Sequence, residues 1–208
     1  YKGYEAKDVE DVIISSVVPA VMHSFNSAII KYFGLKPIIV GPGIRTGIRI
    51  ATTNPKETGA DRSVDAVAGY ELYGGPVIVV DFGTATTFDY ISGDGVFKYT
   101  VIAPGLGIVA NALTSQTAKL PEIEIQKPES ILNGNTITGM QAGVIYGYIG
   151  SVEYIIKQMK KELKLKDCLV IATGGLGKVI AKETKEIDLF DPDVAYKGMR
   201  ILYDLNKK

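Results

Sequence analysis

A short segment near the middle of the chain constrains the fold more than any other. Pro76–Val80 is a nearly continuous aliphatic run, which is typical of a strand that is buried on both faces. Gly74-Gly75-Pro76 directly before it breaks a helix and opens a new strand. We therefore predict a boundary here, with residues 1–75 in a first unit and residues 76–208 in a second.

Strand and helix patterns alternate on both sides of this boundary. Apolar residues recur at helical spacing in some segments, and short apolar runs lie between them. The predicted elements that matter below are helices at Pro19–Tyr32, Arg62–Tyr73 and Gly139–Lys164, and a hairpin of Thr86–Ser92 with Val96–Ile102. Glu122–Gln126 alternates charged and apolar residues and is predicted to be a strand or an extended edge. This order predicts two stacked α/β units, each with a mixed sheet and helices on its faces.

The composition argues against several classes of function. The chain has 23 Lys and Arg and 23 Asp and Glu, and this balance argues against duplex nucleic acid or an anionic membrane as a partner. The single cysteine, Cys168, excludes an intrachain disulfide and a Cys-rich zinc site, and the single histidine, His23, excludes a multi-histidine metal centre. Since the chain starts at Tyr1 rather than Met and shows no signal-peptide pattern, we expect a fragment or processed chain of a cytoplasmic protein.

The first candidate for chemistry follows the buried strand directly. The strand ends at Asp81, and Gly83, Thr84 and further threonines form the turn into the next strand. Such turns present backbone N–H groups and hydroxyls that suit phosphate oxygens and their cations. An aspartate that only caps its own turn would give the same pattern, so the motif alone leaves both interpretations open.

The second candidate is the segment Asn54–Arg62, which leads into a predicted helix. Asp61 lies where that helix should start, and an N-cap role explains it equally well. In the functional interpretation Asp61 acts as a base towards a hydroxyl, while the neighbouring Arg62 holds an anionic group of the same substrate.

Two further segments give weaker signals. Thr173-Gly174-Gly175 lies between a predicted strand and a predicted helix. Its glycines allow either a close approach to a flat ligand such as a nucleobase or only a tight turn. Asn133–Thr136 precedes the long helix and is also explained as its capping loop.

Taken together, these segments resemble the type III pantothenate kinase family, which belongs to the acetate and sugar kinase/Hsp70/actin superfamily. Two motifs carry most of the resemblance, NPKETGADR at Asn54–Arg62 and DFGTATTFD at Asp81–Asp89. The shorter matches, in the family's order, are SSVVP at Ser15–Pro19, GPGIRTGI at Gly41–Ile48, PGLGI at Pro104–Ile108, LP at Leu120-Pro121, GNT at Gly134–Thr136 and ATGG at Ala172–Gly175. The resemblance implies two ribonuclease H-like, actin-like ATPase units with mixed sheets, the first truncated at its N-terminus.

The resemblance also implies an activity. The family transfers the γ-phosphoryl group of ATP to the primary hydroxyl of pantothenate, the first committed step of coenzyme A biosynthesis. The general base of the family corresponds to Asp61; Arg62 binds the substrate, and Gly59 and Ala60 lie in the same contact loop. Thr136 is implied to touch pantothenate in a site that is completed across a homodimer interface.

The cofactors that the resemblance implies are ATP with Mg2+ and an activating monovalent cation, K+ or NH4+. The first aspartate of the DFGTA motif, here Asp81, is implied to hold the monovalent cation. The threonine three residues later, here Thr84, is implied to contact ATP.

The chain departs from the family pattern in two places. Thr52 and Thr53 stand where many members carry a tyrosine that contacts the substrate. The N-terminal DxGNT phosphate loop of the family is missing, so we expect this chain to lack the first phosphate site. The alternative function is a non-catalytic accessory role in transcription, as described for some relatives; the intact GADR and DFGTA motifs favour the kinase.

Overall fold

The computed structural model describes residues 3–207. Its strands are β1 (Ile13–Ile14), β2 (Ile38–Ile39), β3 (Arg49–Ile50), β4 (Val77–Phe82), β5 (Ala85–Ile91), β6 (Val96–Pro104), β7 (Leu169–Thr173) and β8 (Leu189–Phe190). Its α-helices are α1 (Pro19–Phe33), α2 (Ala60–Tyr73), α3 (Leu106–Ser115), α4 (Thr136–Glu162), α5 (Gly177–Ala181) and α6 (Val194–Asn206). Short 3-10 helices occupy Ala6–Asp8 and Pro55–Glu57.

Six of the strands form one mixed sheet in the order β3-β6-β5-β4-β7-β8. β5 is antiparallel to both β4 and β6, whereas β7 is parallel to β4 and β8 is parallel to β7. Three antiparallel strands extended by two parallel ones are the arrangement of a ribonuclease H-like unit, and β3 adds a sixth strand that is parallel to β6. The predicted mixed α/β fold is therefore confirmed, and the predicted hairpin corresponds to β5 and β6.

Helices cover both faces of this sheet, as the aliphatic run before Asp81 predicts. Ile78 and Val80 of β4 pack in a core with α3, α4 and α5, whereas Val77 and Val79 pack in a second core with α2 and α6. All four side chains are at most 1 % exposed. Burial on both faces explains why the run lacks the alternation of a half-exposed strand.

Helix α2 joins the two predicted units. By sequence it belongs to residues 1–75, yet Val64 and Val67 share a core with β4 and with Val194 and Leu202 of α6. The strand β3 also joins the large sheet, where it pairs in parallel with β6. The core around α2 therefore contains side chains from both sides of residue 75, and the division of the chain there stays a prediction.

The segment before β3 forms a smaller layer, in which β1 pairs in parallel with β2. The predicted first helix corresponds to α1, which has Pro19 in its first turn and ends at Gly34 in the left-handed conformation, with φ of 68°. Val21, Phe25 and Ile30 of this helix are each about half exposed. None of its residues is buried, so α1 contributes to neither core.

Of the two alternatives predicted for Glu122–Gln126, the strand is wrong. Glu122–Gln126 lies in an extended loop between α3 and α4, and it pairs with no strand in the part of the chain that the structure describes. Ile123 and Ile125 still pack against the core beneath α3 and α4. The alternation therefore reflects a loop in which every second side chain packs on the core.

Among residues 3–207, no helix is both long and apolar enough to cross a bilayer.

Candidate active site

A cleft of about 610 Å³ opens where β4 and β7 end and where α2 and α5 begin. In α/β sheets, ligands bind outside the carboxyl ends of the strands. Three carboxylates, those of Asp61, Asp65 and Asp81, line the cleft, together with the predicted turn Thr173-Gly174-Gly175. The cleft therefore unites three of the segments that the sequence singled out, although they are far apart along the chain.

Asp81 is held beside the β7–α5 turn by the pairing of the central strands. It lies opposite Thr87 on β5 and opposite Thr173 on β7. Gly174 has a φ of 92°, and a Cβ there would lie 2.6 Å from Asp81 Oδ1 and 2.6 Å from the carbonyl oxygen of Phe82. Only glycine fits this position, because it needs both the left-handed conformation and the close approach.

Asp61 lies in the first turn of α2 but is not its N-cap, which corrects that interpretation of the segment. The N-cap is Gly59, Ala60 is the first helical residue, and Asp61 is the second. The Asp61 Oδ1 accepts a hydrogen bond of 2.8 Å from the Arg62 backbone N–H. An exposed carboxylate at this end of the helix is stabilised by the partial positive charge of the free N–H groups.

The Arg62 side chain does not line the cleft of Asp61 but a second, neighbouring hollow. Its guanidinium forms an ion pair with Asp89 of β5, with Nη2 to Oδ1 at 2.7 Å and Nε to Oδ2 at 3.1 Å. The two side chains are 14 % and 3 % exposed, respectively. Burial raises the pKa of Asp89, and the positive charge of Arg62 opposes that rise. The pair therefore fixes the arginine in one orientation.

The hollow that Arg62 faces has a volume of about 420 Å³. It lies between the loop before α2 and the outer part of β6, and its lining includes Thr52, Thr53, Lys98 and Tyr99. The two threonines are those that replace the tyrosine of the family pattern. The start of α2 thus separates two hollows, with the Asp61 carboxylate on one side and the Arg62 guanidinium on the other.

The sequence did not single out Asp65, although it is the most perturbed carboxylate of the cleft. It is 5 % exposed, and its Oδ1 has no hydrogen-bond partner among the described residues. Burial, followed by the charges of Asp81, Asp61 and Asp89, raises its pKa to about 8. One signal was available: Asp65 follows Asp61 by one helical turn and lies among the apolar positions that α2 buries.

The carboxylates of the cleft fit a cation. Burial raises the pKa of Asp81 to about 6, with Asp61 and Asp89 adding to the effect. A cation beside Asp81 and Asp65 would favour the ionised form of both groups and would bind the unpartnered oxygen of Asp65. Among residues 3–207, however, no group of three acidic, histidine or cysteine side chains forms a complete metal site. A cation here would need further ligands, such as phosphate oxygens and water.

Thr84 and Thr136 lie outside both hollows. Thr84 is exposed in the turn between β4 and β5, and its carbonyl oxygen accepts a hydrogen bond of 3.1 Å from the N–H of Gly105. Thr136 is exposed as the first residue of α4. Asn135 caps that helix, because its side chain accepts a hydrogen bond from the Thr138 N–H at 3.0 Å. The capping interpretation of this loop is therefore confirmed, and contacts of Thr84 and Thr136 with ligands stay predictions.

Comparison with known proteins identifies the family. The model of the family "Type III pantothenate kinase" matches residues 2–158. A type III pantothenate kinase from Agathobacter rectalis is 57 % identical over 196 residues, which are 94 % of this chain and 75 % of the relative. The chain belongs to the type III pantothenate kinase family. A second member, from Bacillus cytotoxicus, is 52 % identical over 206 residues, which are 99 % of this chain and 78 % of the relative.

A solved structure adds support for the fold. A Campylobacter jejuni protein that is named as a Baf family transcriptional activator superposes with a TM-score of 0.64. The alignment covers 95 % of this chain and 84 % of that protein, at 19 % sequence identity. At this identity the likeness extends to the fold alone. The two close relatives confirm the family that the sequence motifs predict.

Proposed function

We propose that this protein is a type III pantothenate kinase that transfers the γ-phosphoryl group of ATP to the primary hydroxyl of pantothenate. One observation carries the proposal: at the start of α2 the Asp61 carboxylate faces one hollow and the Arg62 guanidinium faces the next. Two close relatives, at 52 % and 57 % identity, bear the name of this activity. In a phosphoryl transfer the nucleotide and the acceptor occupy adjoining sites, and a positioned base acts on the acceptor hydroxyl.

The cleft beside Asp81 is the proposed nucleotide site. The turn at Gly174-Gly175 gives a ligand access to the backbone, and the exposed Thr84 lies in the neighbouring turn. Asp81 and Asp65 would hold a cation there, either Mg2+ that arrives with ATP or a monovalent ion, K+ or NH4+. When bound, such a cation supplies positive charge that offsets the charge of the phosphates.

The hollow beside Arg62 is the proposed acceptor site. Pantothenate carries a carboxylate, and a guanidinium that is already held by Asp89 presents its remaining N–H groups in a fixed direction. Gly59 and Ala60 form the adjoining turn. We also propose a cytoplasmic homodimer in which Thr136 of a second subunit completes this site, with neither nucleic acid nor a membrane as partner. The family resemblance and the balanced charge of the chain support this part.

Asp61 is the proposed general base. Its carboxylate accepts the proton of the primary hydroxyl as the hydroxyl oxygen forms a bond with the γ-phosphorus, and ADP leaves with the electron pair of the broken bond. Placement of the acceptor oxygen in line with the bond to ADP is the larger part of such catalysis. The open side of Asp61 is free for this role, because the residue is exposed to the cleft.

The test is an ADP-release assay of the full-length protein with a panel of acceptors: pantothenate, other hydroxy acids and sugars. Pantothenol, in which CH2OH replaces the carboxylate, serves as the matched control for the Arg62 contact. We expect turnover with pantothenate, a product heavier by one phosphoryl group in mass spectrometry, and much weaker turnover with pantothenol. Preference for a sugar would contradict the assignment of the acceptor. Nucleotide binding without turnover of any acceptor would favour the non-catalytic, transcription-related role.

A further inference from the structure

Lys178 brings positive charge to a cleft that is otherwise acidic. Among the residues that line the cleft it is the only cationic one, and Asp61, Asp65 and Asp81 are the acidic ones. Within residues 3–207, Lys178 forms no ion pair with an acidic side chain. The charges that shift the pKa of Asp65 and of Asp81 come from other carboxylates and not from Lys178. The ammonium group therefore forms no ion pair with the three carboxylates of the cleft.

The position of Lys178 is set by close packing beneath it. It is the second residue of α5, directly after the buried Gly177. A Cβ at Gly177 would lie 2.9 Å from ring carbons of both Phe82 and Phe190, so the start of α5 rests directly on these two rings. Gly177 is buried, whereas Lys178, the next residue, is exposed and lines the cleft.

A cleft that is lined by three carboxylates and by an ammonium group not paired with them fits a ligand with the complementary pattern. A metal–polyphosphate has this pattern, since its cation faces carboxylates and its outer oxygens attract an ammonium group. We propose that Lys178 Nζ binds a phosphate oxygen of the nucleotide and so orients the polyphosphate against the Asp61, Asp65 and Asp81 wall. This inference rests on the proposed use of ATP and assigns to Lys178 a contact that neither the GADR nor the DFGTA motif contains.

The experiment measures nucleotide binding directly, by NMR titration of the protein with MgATP, MgADP and adenosine. The variants are Lys178→Met, which removes the charge, and Lys178→Arg, which keeps it. Lys182→Met is the matched control, because Lys182 is exposed at the end of the same helix but does not line the cleft. Thermal unfolding of each variant verifies that the fold is unchanged.

We expect Lys178→Met to weaken the binding of MgATP and MgADP about 10-fold, the loss of one charge-assisted hydrogen bond at a partly exposed site. Binding of adenosine should change less than about twofold, Lys178→Arg should retain most of the affinity, and Lys182→Met should have no effect. Unchanged MgATP binding by Lys178→Met would overturn the inference while leaving the proposed function intact. Equal losses for adenosine and MgATP would also overturn it, because the side chain would then contact the nucleoside. Failure of the unmodified protein to bind MgATP would overturn the proposed function and this inference together.

Discussion

The raised pKa of Asp65 makes the stability of the protein depend on pH in a defined window. In the folded protein without a bound cation, burial and the neighbouring carboxylates raise this pKa to about 8, from 3.8 for an unperturbed aspartate. The folded state therefore keeps a proton that the unfolded state has already lost. Stability falls as the pH rises between these two values, and it falls by at most about 1.4 kcal/mol per pH unit.

In the interval from pH 6 to pH 8 we expect Asp65 to make the largest contribution to the change in stability. The pKa of Asp81 is raised only to about 6, so most of its effect on stability lies below this interval. With a native pKa of about 8 for Asp65, linkage gives a loss of about 2 kcal/mol in the free energy of unfolding between pH 6 and pH 8. Asp65→Asn keeps the shape of the side chain and removes its titration, so we expect it to remove this loss.

Urea unfolding followed by circular dichroism at several pH values measures this difference. Asp167→Asn is the control, since it removes a carboxylate that is exposed on the surface. If the free energy of unfolding falls equally for Asp65→Asn and for the unmodified protein between pH 6 and pH 8, then the pKa of Asp65 is not raised as the structure indicates. Adding MgATP should reduce the dependence in the unmodified protein, because a cation beside the carboxylate replaces the proton.

Three further changes test other parts of the site. Asp61→Asn should lower kcat by about 10²–10⁴-fold with an unchanged circular dichroism spectrum, and near-normal turnover would refute its role as the base. Turnover should require K+ or NH4+, and Asp81→Ala should abolish ATP use; equal rates with Na+ alone would contradict the monovalent cation site. Thr87→Val should raise the free energy of unfolding by about 1–3 kcal/mol, as measured by urea unfolding, because the 8 % exposed Thr87 holds a hydroxyl with no partner in the described structure. Lower stability of this variant would mean that the hydroxyl is satisfied by water.

Local patterns were sufficient for much of the fold. The aliphatic run of β4 needs burial on both faces, and the hairpin of β5 and β6 needs only a tight turn between two strand-forming segments. The same reasoning failed at Glu122–Gln126, where alternating side chains do contact the core but the backbone has no neighbouring strand. Alternation reports which side chains are buried, whereas a strand also requires a partner that local sequence does not reveal.

The candidate site was predicted only where a motif holds its residues close together in sequence. Asp61 and Arg62 were identified in this way, and the structure places Asp61 and Asp81 in the same cleft. Asp65 was missed because a single aspartate in an otherwise buried helix face carries no motif of its own. Its pKa is raised first by burial and then by the charges of Asp81, Asp61 and Asp89, and burial of Asp65 arises only when α2 packs on the sheet.

The ion pair between Arg62 and Asp89 explains how two neighbouring residues serve different hollows. Consecutive helical residues differ by about 100° in direction, so Asp61 and Arg62 diverge from the start of α2. Asp89, 27 residues later in sequence, fixes the direction of the arginine, and the buried pair would leave an uncompensated charge if either partner were removed. The distance between the proposed base and the proposed substrate clamp is therefore set by the packing of α2 on β5. A change in that packing would move the acceptor relative to Asp61 without altering either residue.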